Sequence, residues 1–557
     1  MVDEQRARGE TMHPPRAGAG RRAFLRRAAQ VGGALSVAGL LAACGQQGGG
    51  APSGGAKPAA PGQAPTKAGD APAATGAPKR GGTLKIALDS DIIGIDPHGA
   101  SAGVDRNVYT SVYNGLVTVD KNLQIVPDLA ESWTTPDDKT YVFKLRSGVK
   151  FHDGTDCNAD AVKKNFDWIL DQANASPRRP ELADVEAVTV VDPLTVRIGL
   201  KNVFSPFLAI ISDRAGYIVS PEARAKHGKD YTRNPVGTGP FQFVEWIKDD
   251  HATFKRFDGY WDKELPYLDQ VVYRPIPDLT VAVTEVKTGN VDFLRRVDPK
   301  DVDDVKATRN LEYLEGQGVG YQGFWVNTAK GPLANRALRE AVSLAIDRES
   351  LLAVAYFGTG EIAHGPVPPS SWAYDAGYPA AKRDLAQARA KLVEGGQPNG
   401  FPLAMKVANT PQGQKITQLV QAQLKEIGVD AQIQTLEFGA LLKAGEQNDF
   451  DLMSLGWSGR IDPDGNIQPI FGTTGAFNYG KYTNPDVDRM IAQGREATGQ
   501  PERKRIYQDL QKKLTEDVAY VFTWFEPTAY AVGDYVKEFE ATPDGLMRFK
   551  STWLNKS

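Results

Sequence analysis

The sequence predicts a mixed α/β to α+β protein of several lobes, and three observations carry that expectation. Stretches alternating polar and apolar with period two are interleaved with stretches of helical spacing. No unit of 20 to 50 residues repeats, which sets aside solenoids and propellers. The chain has 557 residues, 41 % hydrophobic and 24 % charged, enough to bury two or three ordinary cores.

The first 43 residues are of another kind. "GRRAFLRRAAQVGGALSVAGLLAACG" sets paired arginines ahead of a short apolar run ending in small residues and Cys44, the pattern of an export signal. Arg21 and Arg22, followed by Ala23, Phe24 and Leu25, resemble the twin-arginine translocation pattern, and "LAAC" (41–44) resembles a bacterial lipobox. The alternatives are the general export route and an uncleaved anchor, for which 28–43 is short against the ~20 apolar residues of a bilayer span. Lipidation at Cys44 would anchor the protein to a membrane without spanning it. Residues 44–79, nearly all Gly, Ala, Pro and small polar residues, read as a flexible tether. Only Cys157 remains, so no internal disulfide is available. Residues 1–43 carry seven Arg against three acidic residues, so their removal takes the net charge from −3 to −7. A mildly acidic body argues against nucleic acid.

The elements then follow in order. "TLKIALDSD" alternates as a strand, and "VYTSVYNGLV" places Val108, Val112 and Leu116 at helical spacing, with Tyr109 and Tyr113 on a neighbouring face. "LAESWTTPDDKTYVFKLRSGVKF" reads as a short helix, a turn over Pro136 to Asp138, and a strand with Tyr141, Phe143 and Leu145 on one side. "NADAVKKNFDWIL" is a helix capped near Asn158, with Val162, Phe166 and Ile169 inward. "VEAVTVVDPLTVRIGLK" is a hairpin turning at Asp192 and Pro193.

Eight segments then fall in one order: "GGTLKIAL", "VYNGLV", "PDLAESW", "YVFKLRSGVKFHDGT", "NPVGTGPFQFVEW", "GFWVNT", "ALREAVSLAIDRESL" and "YPAAKRDLAQARAKLVEGG". Together they resemble the extracytoplasmic solute-binding proteins of peptide and nickel ABC importers, bacterial solute-binding protein family 5, from Gly81 to the C-terminus. The resemblance implies a periplasmic-binding-protein-like type II bilobal cleft fold (cluster C), with an additional domain inserted in the first lobe. Domain I would take 80–122, 235–326 and 528–557, the inserted domain II 123–234, and domain III 327–527. It further implies a non-enzymatic lipoprotein, without a cofactor, that binds a peptide or peptide-like solute and delivers it to a permease and ATPase complex, acting as a monomer. Binding proteins for oligosaccharide, a glutathione-like anion or a metal chelate, or a sensor without a transport role, stay open beside it.

The candidate site centres on "GWSGRIDPDGN", 456–466. It departs from the nucleophile elbow G-x-S-x-G, because Arg460 stands where the second Gly is needed. Trp457, just after the buried-looking strand "FDLMSLG", is read either as a cleft aromatic or as a core tryptophan. In peptide-binding relatives an Asp three residues after this Trp commonly captures the ligand's free amine, and here that residue is Arg460. A guanidinium repels an ammonium and suits a carboxylate or phosphate, so Arg460 is read as a cleft group for an anionic or polyhydroxyl ligand, or as a partner of Asp462. Asp462 and Asp464 are candidate ligand groups or the carboxylates of an Asx-type turn.

Tyr109 and Tyr113 offer phenols to the pocket or pack in the core, and Trp325 and Asn327 sit at the expected crossover between lobes. Asn478 and Tyr479 close the rim or lie in a surface loop. Of His98, His152, His227, His251 and His364, no two lie within five residues, so no local metal pair exists. Only His364 falls in a region that the resemblance places near the cleft. "VGTGPF" lacks the Lys-Ser/Thr of a phosphate loop, and HExxH is absent.

Overall fold

The computed structural model describes residues 77–100 and 102–556, so the export signal, Cys44 and most of the tether lie outside the described residues. Within the compact unit Ala74–Ser557 three large sheets organise the chain. The first has seven strands in the order Leu311–Gly316, Thr528–Gly533, Phe293–Leu294, Thr83–Leu88, Gln270–Pro275, His251–Arg256 and Phe241–Ile247. Thr83–Leu88 is central and parallel to both neighbours, Ile86 lying opposite Tyr273 on one side and Phe293 on the other. Its residues Ile86, Ala87 and Leu88 are buried in succession, as a strand covered on both faces requires.

The second sheet has six strands in the order Glu361–Ile362, Tyr520–Phe525, Gln322–Val326, Leu452–Ser454, Pro402–Ala408 and Asp430–Leu436. Pro402–Ala408 and Asp430–Leu436 are parallel and joined through the helix Pro411–Lys425, whose first turn is capped by Thr410. The third sheet is antiparallel, in the order Ala130–Asp137, Thr140–Leu145, Thr195–Leu200, Val185–Asp192. The helix Ala159–Leu170 closes it, putting Val162, Phe166 and Ile169 against Phe143, Val196 and Ile198. Asn158 caps that helix by accepting the Ala161 N–H at 3.0 Å.

Two local expectations are corrected. Residues 130–137 form a strand and not a short helix. Ser132, Trp133 and Thr134 favour a pleated surface, and the strand pairs at once with Thr140–Leu145 across a turn held by Lys139 N–H to Asp137 Oδ1 at 2.9 Å. The helix at 106 stops at Val112, short of Leu116. The Gly115 amide bonds instead to Asp128 Oδ2 at 3.1 Å, and the chain runs into the strand Val117–Val119.

The chain passes from the first sheet to the second between Gly316 and Gln322 and returns between Phe525 and Thr528. Glu526, on the return crossing, is held from both sides: Arg296 Nη2 donates to its Oε1 at 2.9 Å and Gln322 Nε2 to its Oε2 at 2.8 Å.

Candidate ligand-binding cleft

The segment Trp457–Asp464 is built against the outgoing crossing. Trp457 N–H donates to Tyr321 O at 2.8 Å and Tyr321 N–H to Trp457 O at 3.0 Å. Gly459 has φ +79°, and a Cβ there would lie 2.2 Å from the Val319 carbonyl, so only glycine fits. Asn466, fully buried, ties this segment together. Its Oδ1 accepts from Arg460 N–H at 2.7 Å and Trp457 Nε1 at 3.2 Å, and its Nδ2 donates to Val319 O at 3.1 Å.

With its backbone fixed, Arg460 extends its guanidinium 5.0 Å over the Trp457 ring. Its Nη1 donates to Gly459 O at 2.6 Å and to Ser458 Oγ at 3.4 Å. Among the described residues no carboxylate stands within ion-pair distance of it. Phe477, 40 % exposed, lies 5.4 Å from Trp457 and extends the aromatic wall.

Within electrostatic reach of Arg460 are charges carried by other parts of the chain: Arg106 on the helix Arg106–Val112, and Asp213, Arg214 and Glu181. Arg106 grips Asp213 with both arms, Nε at 3.3 Å and Nη2 at 2.7 Å. Burial, reinforced by the positive Arg106 and Arg214, pushes the Arg460 pKa down to about 10. Burial would raise the Asp213 carboxyl, but Arg106, Arg214 and Arg460 hold it well below the usual carboxylate range. Arg460 therefore adds a third guanidinium to Arg106 and Arg214, with Asp213 and Glu181 as the acids among them.

The two carboxylates of "DPDG" do not face this space. Asp462 receives Arg503 Nη1 at 2.9 Å and Nη2 at 2.8 Å, and its Oδ1 also accepts Asp464 N–H at 3.0 Å, an Asx turn. Asp464 receives Arg495 Nε at 2.8 Å and Nη2 at 2.9 Å. Both ion pairs are internal and hold the segment to the following helices Pro485–Glu496 and Gln500–Glu516.

Other expected site residues are corrected to packing roles. Tyr109 and Tyr113 are buried in the first core. The Tyr109 hydroxyl donates to Gly94 O at 3.1 Å, and that of Tyr113 to Ile95 O at 2.7 Å. Trp325 is sandwiched at 5.1 Å from Tyr479 and 5.7 Å from Tyr520. Asn327 uses both ends of its amide, donating to Phe450 O at 2.7 Å and accepting from Ala329 and Lys330 N–H at 3.2 Å each. Asn478 is neither rim nor surface loop: buried, it donates to Tyr482 O at 2.7 Å and accepts Tyr482 N–H at 2.9 Å. His364 is buried, 5.0 Å from the Tyr374 ring and 6.0 Å from Phe525, and burial lowers its pKa. Among the described residues no group of three or more His, Cys, Asp or Glu is placed to hold a metal ion. Nor is any helix among them long and apolar enough to cross a membrane.

Sequence reasoning missed Arg106, Asp213, Asn466, Arg495 and Arg503. The polar run "QPERKR" gives no sign that Arg503 is the buried one of its charges.

Residues 124–478 match the model of the bacterial extracellular solute-binding proteins, family 5. The chain belongs to that family. The glutathione-binding protein GsiB of Pectobacterium atrosepticum is 32 % identical over 483 residues, covering 85 % of this chain and 94 % of the relative. Among solved structures, the periplasmic binding protein DppA of Helicobacter pylori in complex with the peptide STSA superposes with a TM-score of 0.78 at 26 % identity, covering 86 % of this chain and 99 % of that one. AgaA of A. tumefaciens R10, in complex with agropinic acid, superposes with a TM-score of 0.77 at 26 % identity, with the same coverages. This family 5 protein therefore has the type II periplasmic-binding fold and is the solute-binding component of an ABC importer. Members of the family bind solutes and are not enzymes.

Proposed function

We propose that this solute-binding protein captures a small peptide-like solute through an anionic group, seated between Arg460 and the Arg106, Asp213 and Arg214 cluster opposite. One observation carries the reading: Arg460 has no carboxylate partner within ion-pair distance among the described residues, yet it lies within electrostatic reach of the guanidiniums of Arg106 and Arg214. Like charges brought together in a partly dehydrated space oppose closing, and an anion between them reverses the sign. The ligand then stabilises the closed state through contacts with both sides, which the permease reads. Trp457 and Phe477 supply the apolar face. The glutathione-binding and acid-binding relatives support this choice over capture of a free amine.

In the same reading residues 1–43 direct export by the twin-arginine route, Cys44 is lipidated, and 44–79 tether a monomeric body to the outer face of the membrane. Domains I, II and III take the boundaries expected from the sequence.

The test is calorimetric titration with glutathione, its diamide with both carboxylates amidated, ordinary dipeptides, a nickel–histidine chelate and an oligosaccharide. Glutathione is expected to bind, and its diamide and the uncharged sugar to bind far more weakly. Arg460→Ala is expected to weaken glutathione about 10- to 100-fold, the range of a charge-assisted hydrogen bond. Equal affinity for acid and diamide, or an unchanged Arg460→Ala variant, would overturn the reading.

A further inference from the structure

We infer that Ser205 and Arg495 form a latch by which the third sheet's domain holds the cleft closed, making both of them positioning residues for ligand capture. The loop after strand Thr195–Leu200 is anchored by Phe204 and Phe207, both buried in the core beneath that sheet. Between them Ser205 reaches the C-terminal end of the helix Pro485–Glu496, which packs with the second sheet's lobe. Ser205 N–H donates to Arg495 O at 2.9 Å, and its Oγ–H to Ala497 O at 2.6 Å.

The last carbonyls of a helix have no partner within it. Here Ala497 N–H fills Gln493 O at 2.9 Å and Arg503 Nε fills Gly494 O at 2.8 Å, both from the same lobe. The carbonyls of Arg495 and Ala497 are the two that Ser205 fills from the opposite side. The Arg495 guanidinium lies 5.2 Å over the Phe204 ring while it holds Asp464 with both arms. One side chain thus touches the inserted sheet's loop and the segment that carries Trp457 and Arg460.

This arrangement divides the bonds by strength. The buried Asp462–Arg503 pair and the part-buried Asp464–Arg495 pair lie within one lobe and survive opening. The contacts of Ser205 and Phe204 that opening breaks are two hydrogen bonds to helix-end carbonyls, which water can replace, and one ring face, so the latch is weak and reversible. A weak latch raises the closed population a few-fold, and the affinity of any ligand that needs closure rises by the same factor. The inference does not depend on the ligand being an anion.

The experiment uses the full chain with Cys44→Ser and spin labels on cysteines replacing the exposed Glu186 and Lys504. Cys157 is buried, with its thiol pushed up to about 12, and stays unlabelled. Pulsed electron resonance gives the distance distribution without ligand and with S-methylglutathione. Ser205→Ala, which keeps the N–H bond and loses the hydroxyl bond, is expected to move the ligand-free distribution toward the longer distance. It should also weaken S-methylglutathione about fivefold through faster dissociation, with an unchanged melting temperature. Ser205→Thr is expected to restore both readouts. An unchanged ligand-free distribution in Ser205→Ala, a shift that Thr does not rescue, or a loss that follows a fall in melting temperature would overturn the latch. If S-methylglutathione does not bind at all, the anion reading fails, and the ligand-free distances still decide the latch.

Discussion

Breaking the Asp462–Arg503 pair should reveal what holds the segment Trp457–Asp464 in place. The two side chains are 10 % and 8 % exposed and joined by two hydrogen bonds, and Arg503 also reaches Gly494 O and the Tyr507 hydroxyl. Arg503→Met removes the cation and leaves a buried carboxylate uncompensated, a change that costs about 3–5 kcal/mol. For one cooperative unit of the length of Ala74–Ser557 the unfolding entropy is about 1 kcal/mol/K, so the melting temperature should fall by about 3–5 °C. A lobe of about 200 residues melting alone would fall more than twice as far, because its entropy is correspondingly smaller. Asp462→Asn in the same chain removes the stranded charge, so the double variant should be more stable than Arg503→Met alone. Scanning calorimetry of the four proteins of this cycle is the assay. A single-variant shift under about 1 °C, or a double variant at or below the sum of the two singles, would refute the argument that a buried ion pair clamps this segment.

Three further outcomes follow from the geometry. His98, fully buried, stays neutral in the fold: burial and the neighbouring Arg224 lower its pKa to about 3, and its Nε2 lies 2.9 Å from Tyr217 O. Because its folded pKa lies below the ~6.5 of the unfolded chain, its stabilisation is present above pH 6.5 and is lost as pH falls toward 3, about 2 kcal/mol by pH 5. His98→Gln should flatten that part of the pH–stability profile measured by denaturant titration. Gly459→Ala forces a Cβ into the Val319 carbonyl at a positive φ, so a loss of about 1–3 kcal/mol is expected in urea unfolding, together with weaker ligand binding in calorimetry. Glu526→Gln takes away the negative charge that Arg296 meets at 2.9 Å on the return crossing and should change closure rates in stopped-flow fluorescence more than it changes melting temperature.

How much of this was legible in the sequence depends on the range of each interaction. The helix over 159–170 was readable because its cap and its inward face lie within one local pattern, and the structure places Asn158, Val162, Phe166 and Ile169 accordingly. Residues 130–137 were misread because a strand that pairs with its successor owes its state to that partner and not to its own spacing. The Arg at 460 stood out against the resemblance, but nothing local said what faces it, since Arg106 and Asp213 arrive from segments far away in the chain. Tyr109 and Tyr113 fit pocket and core equally well by spacing, and the choice fell to the carbonyls of Gly94 and Ile95, which a loop lays over their hydroxyls.

The pair Asp462 and Asp464 shows the limit most sharply. Their Asx turn is local, and the sequence offered it. Their neutralisation by Arg503 and Arg495 comes from 41 and 31 residues downstream, on helices whose charge runs look like solvated faces. Once those arginines are placed, the two carboxylates cease to be candidates for the ligand and become the means by which Trp457 and Arg460 are held. That exchange also leaves Arg460 as the uncommitted charge of the segment. With its acids spent on internal pairs and Arg460 left without a carboxylate partner among the described residues, this segment is the ground for the proposed preference for an anion.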